Sequence, residues 1–157
     1  IWFARNYTCT TQNSLLLDNA LATMGAGIPV GIISKILYPE KKVLVIAGDG
    51  GVMMNIAELE TAVRLKLDLV ILILDDSGFG MIRWKQKGMK LKDFALSFDN
   101  PDFVKLAESF GAVGYKINKA DELAPLLEKI LVLSGVQIIS CPISYDVANK
   151  ILDTIKK

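Results

Sequence analysis

Several short runs of the chain are apolar at nearly every position: residues 14–17, 43–47, 69–74 and 136–140, with a fifth, weaker run at 112–117. Runs of this length that do not alternate predict strands buried on both faces, as in a parallel sheet. Between them lie stretches of helical length that carry one apolar stripe. The clearest is 55–66, where Ile56, Leu59, Val63 and the following Leu67 share a face while Glu58, Glu60 and Arg64 take the other. The segment 101–110 opens with Pro101 after Asn100 and stops at Gly111, and 120–133 and 146–156 show similar periodicity. Strand and helix alternate throughout, with no internal repeat, low-complexity tract or Gly/Ser linker. The sequence therefore predicts an α/β fold, a mostly parallel sheet with helices on both faces, built as one domain over residues 1–157.

Composition narrows the function classes. A chain of 157 residues with 52% apolar and 22% charged residues has the make-up of a globular domain and can bury a sizeable core. Its 18 Lys+Arg against 17 Asp+Glu leave a net charge of +1, which offers no global field for nucleic acid or an anionic membrane. Arg83, Lys85, Lys87, Lys90 and Lys92, with Trp84 among them, read on that balance as a solvated helix face leading into a mobile loop. The absence of histidine removes Ser/His and Cys/His catalytic pairs and every His-containing zinc site. Cys9 and Cys141 lack CxxC or metal-ligand spacing and are expected as two buried free thiols. The longest apolar stretch, 69–74, is far short of the ~20 residues of a membrane helix, and no leader-like segment opens the chain, so a cytoplasmic location is expected. A start at Ile1 in place of Met suggests a segment of a longer protein.

In parallel sheets ligands bind beyond the carboxyl ends of the strands. The run 43–47 leads straight into Gly48-Asp49-Gly50-Gly51, where glycines allow a sharp turn with backbone N–H groups open to an anion and a helix follows. Such a loop suits a phosphate, yet Asp49 in its middle would repel a diphosphate unless a divalent cation lay between them. The run 69–74 ends in Asp75-Asp76-Ser77-Gly78, and neighbouring parallel strands place their ends on one edge of the sheet, so Asp49 and Asp76 can approach one cation. Mg²⁺, which takes a few carboxylate or carbonyl oxygens, water and phosphate, fits that set. A plain tight turn beside a solvated acidic strand end is the competing account. A dinucleotide loop is excluded because position 53 is Met, which breaks the GxGxxG spacing.

Gly48-Asp49-Gly50, 24 intervening residues and the pair Asp75-Asp76 resemble the thiamine-diphosphate signature, GDG followed by paired Asn. Further segments resemble the carboxy-terminal cofactor domain of the acetolactate synthase group: Ile1-Trp2-Phe3-Ala4-Arg5, Ala22-Thr23-Met24-Gly25-Ala26-Gly27-Ile28-Pro29, Glu58-Leu59-Glu60-Thr61-Ala62-Val63-Arg64, Gly80-Met81-Ile82-Arg83-Trp84 and the stretch 103–112. Together they cover nearly the whole chain. The resemblance implies a thiamine-diphosphate-binding fold and roles by position. Asp49, Asp76 and the Gly78 carbonyl would hold Mg²⁺, with the Gly50 and Gly51 amides facing the diphosphate. Met24 would prop the cofactor into its V shape, the Ala22 carbonyl would accept the 4'-amino group, and Asn19, Gly48, Phe79, Gly80 and Met81 would complete the cofactor contacts. Bending the cofactor brings its amino group beside the reacting carbon, so proton removal becomes intramolecular.

The implied reaction condenses two pyruvates to 2-acetolactate with loss of CO₂, and Met81 and Trp84 would line the substrate pocket; a core or interface role suits those two residues as well. The family's activating Glu comes from another domain across a subunit interface. No catalytic residue is therefore expected in this chain, which should bind more readily than it turns over, with the remaining domains of the enzyme as partners in a homodimer or homotetramer. The chain departs from the pattern where Asp75 and Asp76 replace Asn, Ala20 replaces Gly and Ile33 replaces a small residue. Another thiamine-diphosphate-dependent 2-keto acid decarboxylase or a pyruvate oxidase is the alternative. A non-enzymatic phosphoacceptor module also gathers acids at strand ends, but there the acidic pair precedes the phosphorylated Asp, whereas here it comes later and follows a Gly-rich loop.

Overall fold

A computed structural model describes residues 2–18 and 20–145. Four strands form one sheet in the order β1-β2-β4-β3, every pairing parallel: β1 Val43–Gly48, β2 Leu69–Asp75, β3 Val113–Lys116 and β4 Val136–Pro142. β2 shows why continuous apolar runs become parallel strands. Leu69, Ile71 and Ile73 point to one face and Val70 and Leu72 to the other, and all five are buried.

The first face carries four helices: α2 Gly27–Leu37, α3 Asp49–Met54, α4 Glu58–Arg64 and α6 Phe103–Ser109. Ile28 and Ile32, Val52, Leu59 and Ala62, and Phe103 and Ala107 fill it in that order. The second face is packed by α7 Leu123–Ile130, through Ile130 with Leu123, Leu126 and Leu127. Helices thus lie on both faces, as expected. The short helix α1 Trp2–Asn6 opens the described chain and α5 Gly80–Gly88 follows β2. Among the described residues no helix is long and apolar enough to cross a membrane.

Five expectations change. The run 14–17 forms no strand; Leu16 and Leu17 are exposed in an extended connector, and the chain turns at Asp18, whose carboxylate accepts the Leu21 and Thr23 amides at 3.3 and 3.0 Å. The helix expected over 55–66 is shorter, Glu58–Arg64, because Asn55 closes the preceding helix α3 and donates its side-chain amide to the Gly25 carbonyl at 3.0 Å. The helix expected from Pro101 starts at Phe103, capped by Asp102 through the Val104 and Lys105 amides. The segment 120–133 divides into a 3-10 turn, Ala120–Glu122, and α7. Of the two thiols only Cys141 is buried, while Cys9 is exposed on the amino-terminal connector. The helix expected at 146–156 and the candidate Asn19 lie outside the described residues.

Close packing of α6 on β3 depends on Gly114, where an added Cβ would stand 2.7 Å from the Val104 Cα and 2.8 Å from its carbonyl oxygen. Backbone cannot swing aside as a side chain can. Gly114→Ala should therefore lower the unfolding free energy by about 1–3 kcal/mol, read as a lower urea midpoint at unchanged slope. A midpoint equal to the parent's would show that α6 yields freely.

Candidate functional site

β1 and β2 pair with Gly48 opposite Leu74, so the Gly48-Asp49-Gly50-Gly51 turn and the Asp75-Asp76-Ser77-Gly78 segment leave the sheet side by side. Gly48 is still extended, at ψ 155°, and α3 begins at Asp49. Asp49 is only 1% exposed, and among the described residues no ion pair reaches it. Its charge is held by neutral donors instead. Oδ1 accepts the Gly50 amide at 2.7 Å and Oδ2 accepts Asn100 Nδ2 at 2.6 Å. The same Asn100 nitrogen donates to Asp75 Oδ1 at 2.8 Å, and that oxygen also accepts the Ser77 amide at 3.2 Å.

Asp76 is left with less. Its Oδ2 is enclosed and has no hydrogen-bond partner. Burial first, and the negative charge of Asp49 second, push its carboxyl above the usual carboxylate range, against the opposing pull of Arg83. Tyr145, just beyond β4, closes over this pair: its ring would stand 2.6 Å from a Cβ placed on Gly80, as would Asp76 Oδ2. Burial, with Asp76 and Asp49 adding to it, pushes the phenol up to about 12, so it remains a neutral group.

The glycines leave room on one side of the turn. A Cβ on Gly48 would meet only the Leu74 carbonyl at 4.0 Å and one on Gly51 only the Gly25 nitrogen at 3.7 Å, whereas one on Gly50 would sit 2.7 Å from Phe79 and 3.3 Å from Phe98. Those two rings meet edge to face at 5.0 Å. With Met53 and Met54 they form an apolar wall of a cleft of about 310 Å³ beside Gly50. Phe98 is brought there because 96–98 folds back antiparallel on 77–79: Phe79 N–H donates to the Leu96 carbonyl, Phe98 N–H to the Ser77 carbonyl, and Gly78 bridges Ser97. Arg83 fastens the fold-back, donating to Ser97 Oγ at 2.8 Å.

The close approach of Gly25 to Gly51, with the Asn55 bond to the Gly25 carbonyl, docks the 22–26 loop on the turn. Met24 is exposed on that loop, and Ala22 holds a left-handed φ of 50°. Asp18 stabilises this conformation through its amide bonds, and the Thr23 side chain and amide lower its pKa. The structure thus gathers Gly48, Asp49, Gly50, Gly51, Asp76, Gly78, Phe79 and Gly80 at one sheet edge, with the Ala22 and Met24 loop beside them. Met81 and Trp84 are half-buried on α5 and do not line the cleft beside Gly50. Sequence reasoning missed Asn100, Tyr145 and Asp18; Asn100 stood in view only as the residue before a helix-starting proline.

The donor set suits a hard cation. Asp49 and Asp76 sense each other's charge, and the enclosed Asp76 Oδ2 and Asn100 Oδ1 both lack a donor. Among the described residues no three His, Cys, Asp or Glu side chains gather to hold an ion by themselves, so the remaining positions would fall to a carbonyl, water or a ligand's own oxygens.

Residues 1–141 match the family model described as thiamine pyrophosphate enzyme, C-terminal TPP binding domain. Acetolactate synthase of Bacillus subtilis (strain 168) is 35% identical over 100% of this chain and 28% of its own length. Pyruvate oxidase of Lactiplantibacillus plantarum is 32% identical over 80% of this chain and 21% of its own. Among solved structures, the thiamine diphosphate-dependent 4-hydroxybenzoylformate decarboxylase of Rhodococcus jostii RHA1 superposes with a TM-score of 0.74 at 26% identity, covering 78% of this chain and 24% of that one. The chain spans about a quarter of the length of the relatives it matches.

Asp76 gives the edge a pH signature. Its raised pKa means that the folded chain holds this proton more tightly than the unfolded chain, so stability falls as pH rises from the ordinary 3.8 through the folded value. Ionised Asp76 is then a cost at neutral pH. Asp76→Asn should raise the thermal midpoint of the ligand-free chain at pH 7, and the gain should vanish below about pH 3.8. Thermal melts of both proteins across pH 3–8 test this, and an equal gain at every pH would refute it.

Proposed function

Because the chain belongs to the thiamine pyrophosphate enzymes, matching their C-terminal cofactor-binding domain, we propose that it binds thiamine diphosphate through Mg²⁺ as the single cofactor domain of an acetolactate synthase. The reaction is condensation of two pyruvates to 2-acetolactate with loss of CO₂. The observation that carries the cofactor site is the apposition of buried Asp49 with Asp76, whose enclosed oxygen has no donor, beside a glycine turn with space above Gly48 and Gly51.

In this reading Asp49, Asp76 and the Gly78 carbonyl hold Mg²⁺, and the cation offsets the repulsion between these carboxylates and a diphosphate. The Gly50 and Gly51 turn faces the diphosphate, and the Gly50 amide, which here donates to Asp49, orients that carboxylate. Phe79 and Phe98 keep water from the apolar cleft, with Gly80 giving Asp76 room. The Met24 loop, docked by Asn55, supplies the apolar prop, and Asp18 fixes the backbone that presents the Ala22 carbonyl to the amino group of the pyrimidine. Met81 and Trp84 of α5 face the substrate. The bound cofactor supplies an electron sink for cleavage next to the keto group. A carboxylate for the pyrimidine ring is not assigned in this chain; we place it on another domain of the enzyme, across a subunit contact.

The acetolactate reading rests on the 35% identity to the Bacillus subtilis synthase across the whole chain. Similarity to a pyruvate oxidase and to a decarboxylase structure supports the alternative of another 2-keto acid reaction on the same cofactor.

Two measurements test the proposal. Calorimetry should show thiamine diphosphate binding with Mg²⁺ and its loss with excess chelator, and Asp49→Ala should weaken binding about a hundredfold, on the order of 3 kcal/mol; equal binding in chelator sinks the cation. With pyruvate, cofactor and Mg²⁺, the chain alone should form no detectable acetolactate, because proton transfer at the pyrimidine needs a group within hydrogen-bond reach. Turnover by residues 1–157 would place the missing base within this chain, and a full-length enzyme that yields mainly acetaldehyde would favour the decarboxylase.

A further inference from the structure

Asn100 lies 51 residues beyond Asp49 in the sequence, yet its side chain stands between the two acidic strand ends. A side-chain amide has two N–H bonds, and here each goes to a carboxylate, one to Asp49 Oδ2 at 2.6 Å and one to Asp75 Oδ1 at 2.8 Å. The reverse orientation would set the amide oxygen against both negative charges, so the contacts themselves dictate which atom is nitrogen. Asn100 is also firmly based. Pro101 follows it, Asp102 caps α6, and Phe103 and Ala107 anchor that helix in the core. With Asp99 and Pro101 it forms a wall shared by the cleft beside Gly50 and a polar cleft of about 360 Å³ over the ends of β2 and β4.

We propose that Asn100 is the positioning residue of the cation site, a deepening of the function proposed above that rests on that reading. Asp49 has to be held in one orientation inside the protein and must keep its full negative charge for a cation. A lysine or arginine in this place would hold the carboxylate but also neutralise it and compete with the metal. A neutral amide holds it without doing so. By donating to Asp75 with its other N–H, Asn100 also keeps that second carboxylate turned toward itself, so that Asp49 and Asp75 do not face each other without a donor between them. Asn100 does not touch the cation; it acts through Asp49.

The test is a calorimetric titration of Mg²⁺ into the full chain at saturating thiamine diphosphate, with thermal melts of each ligand-free variant. Asn100→Leu keeps the branched heavy-atom skeleton and removes the donor, and should weaken Mg²⁺ roughly tenfold to a hundredfold, the scale of a hydrogen bond to a charged group. Asn100→Gln keeps the donor and should restore most of that loss even where its melting point equals that of Asn100→Leu. Equal Mg²⁺ affinity in the parent and Asn100→Leu overturns the assignment of Asn100 alone. Equal loss in the Leu and Gln variants, tracking their melting points, overturns it in favour of a packing role. A parent chain that binds thiamine diphosphate without regard to Mg²⁺, or not at all, overturns the function on which the assignment depends.

Discussion

A buried carboxylate must be supplied with donors or discharge itself by taking up a proton. Asp49, 1% exposed at the end of β1, imposes this requirement on everything around it. The parallel register of β1 and β2 makes the requirement harder by setting Asp75 and Asp76 beside it. The structure answers with neutral groups: the amide of Gly50, the side chain of Asn100 and, for Asp75, the amide of Ser77. Arg83 is the nearest positive influence on Asp76, and it is engaged with the 96–98 fold-back. The sheet edge therefore retains negative charge that a pair of basic residues would have cancelled, and this residual charge is the physical basis for reading it as a cation site.

The central architecture was legible because it depends on composition over short windows. A run such as 69–74 cannot alternate, must be buried on both sides and so belongs in the middle of a covered parallel sheet, where β2 lies between β1 and β4. Two consecutive strands with a crossover between them then had to present their ends together, which made the pairing of Asp49 with Asp76 available from spacing alone. The same local rules misread Leu15, Leu16 and Leu17, because an apolar triplet does not reveal whether a neighbouring strand exists to receive it; the carboxylate of Asp18 turns the chain away instead. They also passed over α2, whose sequence GIPVGIISKIL is apolar nearly all round and so shows no stripe. Val30, Ile33 and Leu37 are exposed on it.

What stayed hidden in the site is long-range. Asn100 and Tyr145 carry no local signature, since an asparagine before proline reads as the lead-in to a helix and a tyrosine after a strand reads as an edge residue. Their roles arise from contacts with Asp49, Asp75, Asp76 and Gly80 that bridge widely separated segments. Asn55 is a similar case. As one polar position in a helical pattern it looked like the start of a helix, whereas its side chain ends one helix and secures the loop of Met24. Motif residues announce themselves by type and spacing, but those that hold them in place are found only once the chain has folded.

The crowding at Gly50 extends beyond backbone geometry. A Cβ there would stand 2.7 Å from the Phe79 ring, so the tolerance of position 50 depends on how far that ring can move. A larger residue at 50 would have to displace the Phe79 ring, and a smaller residue at 79 would uncouple Phe98 from its edge-to-face partner. Glycine and ring thus form one coupled pair, and the effect of substituting either depends on which residue occupies the other.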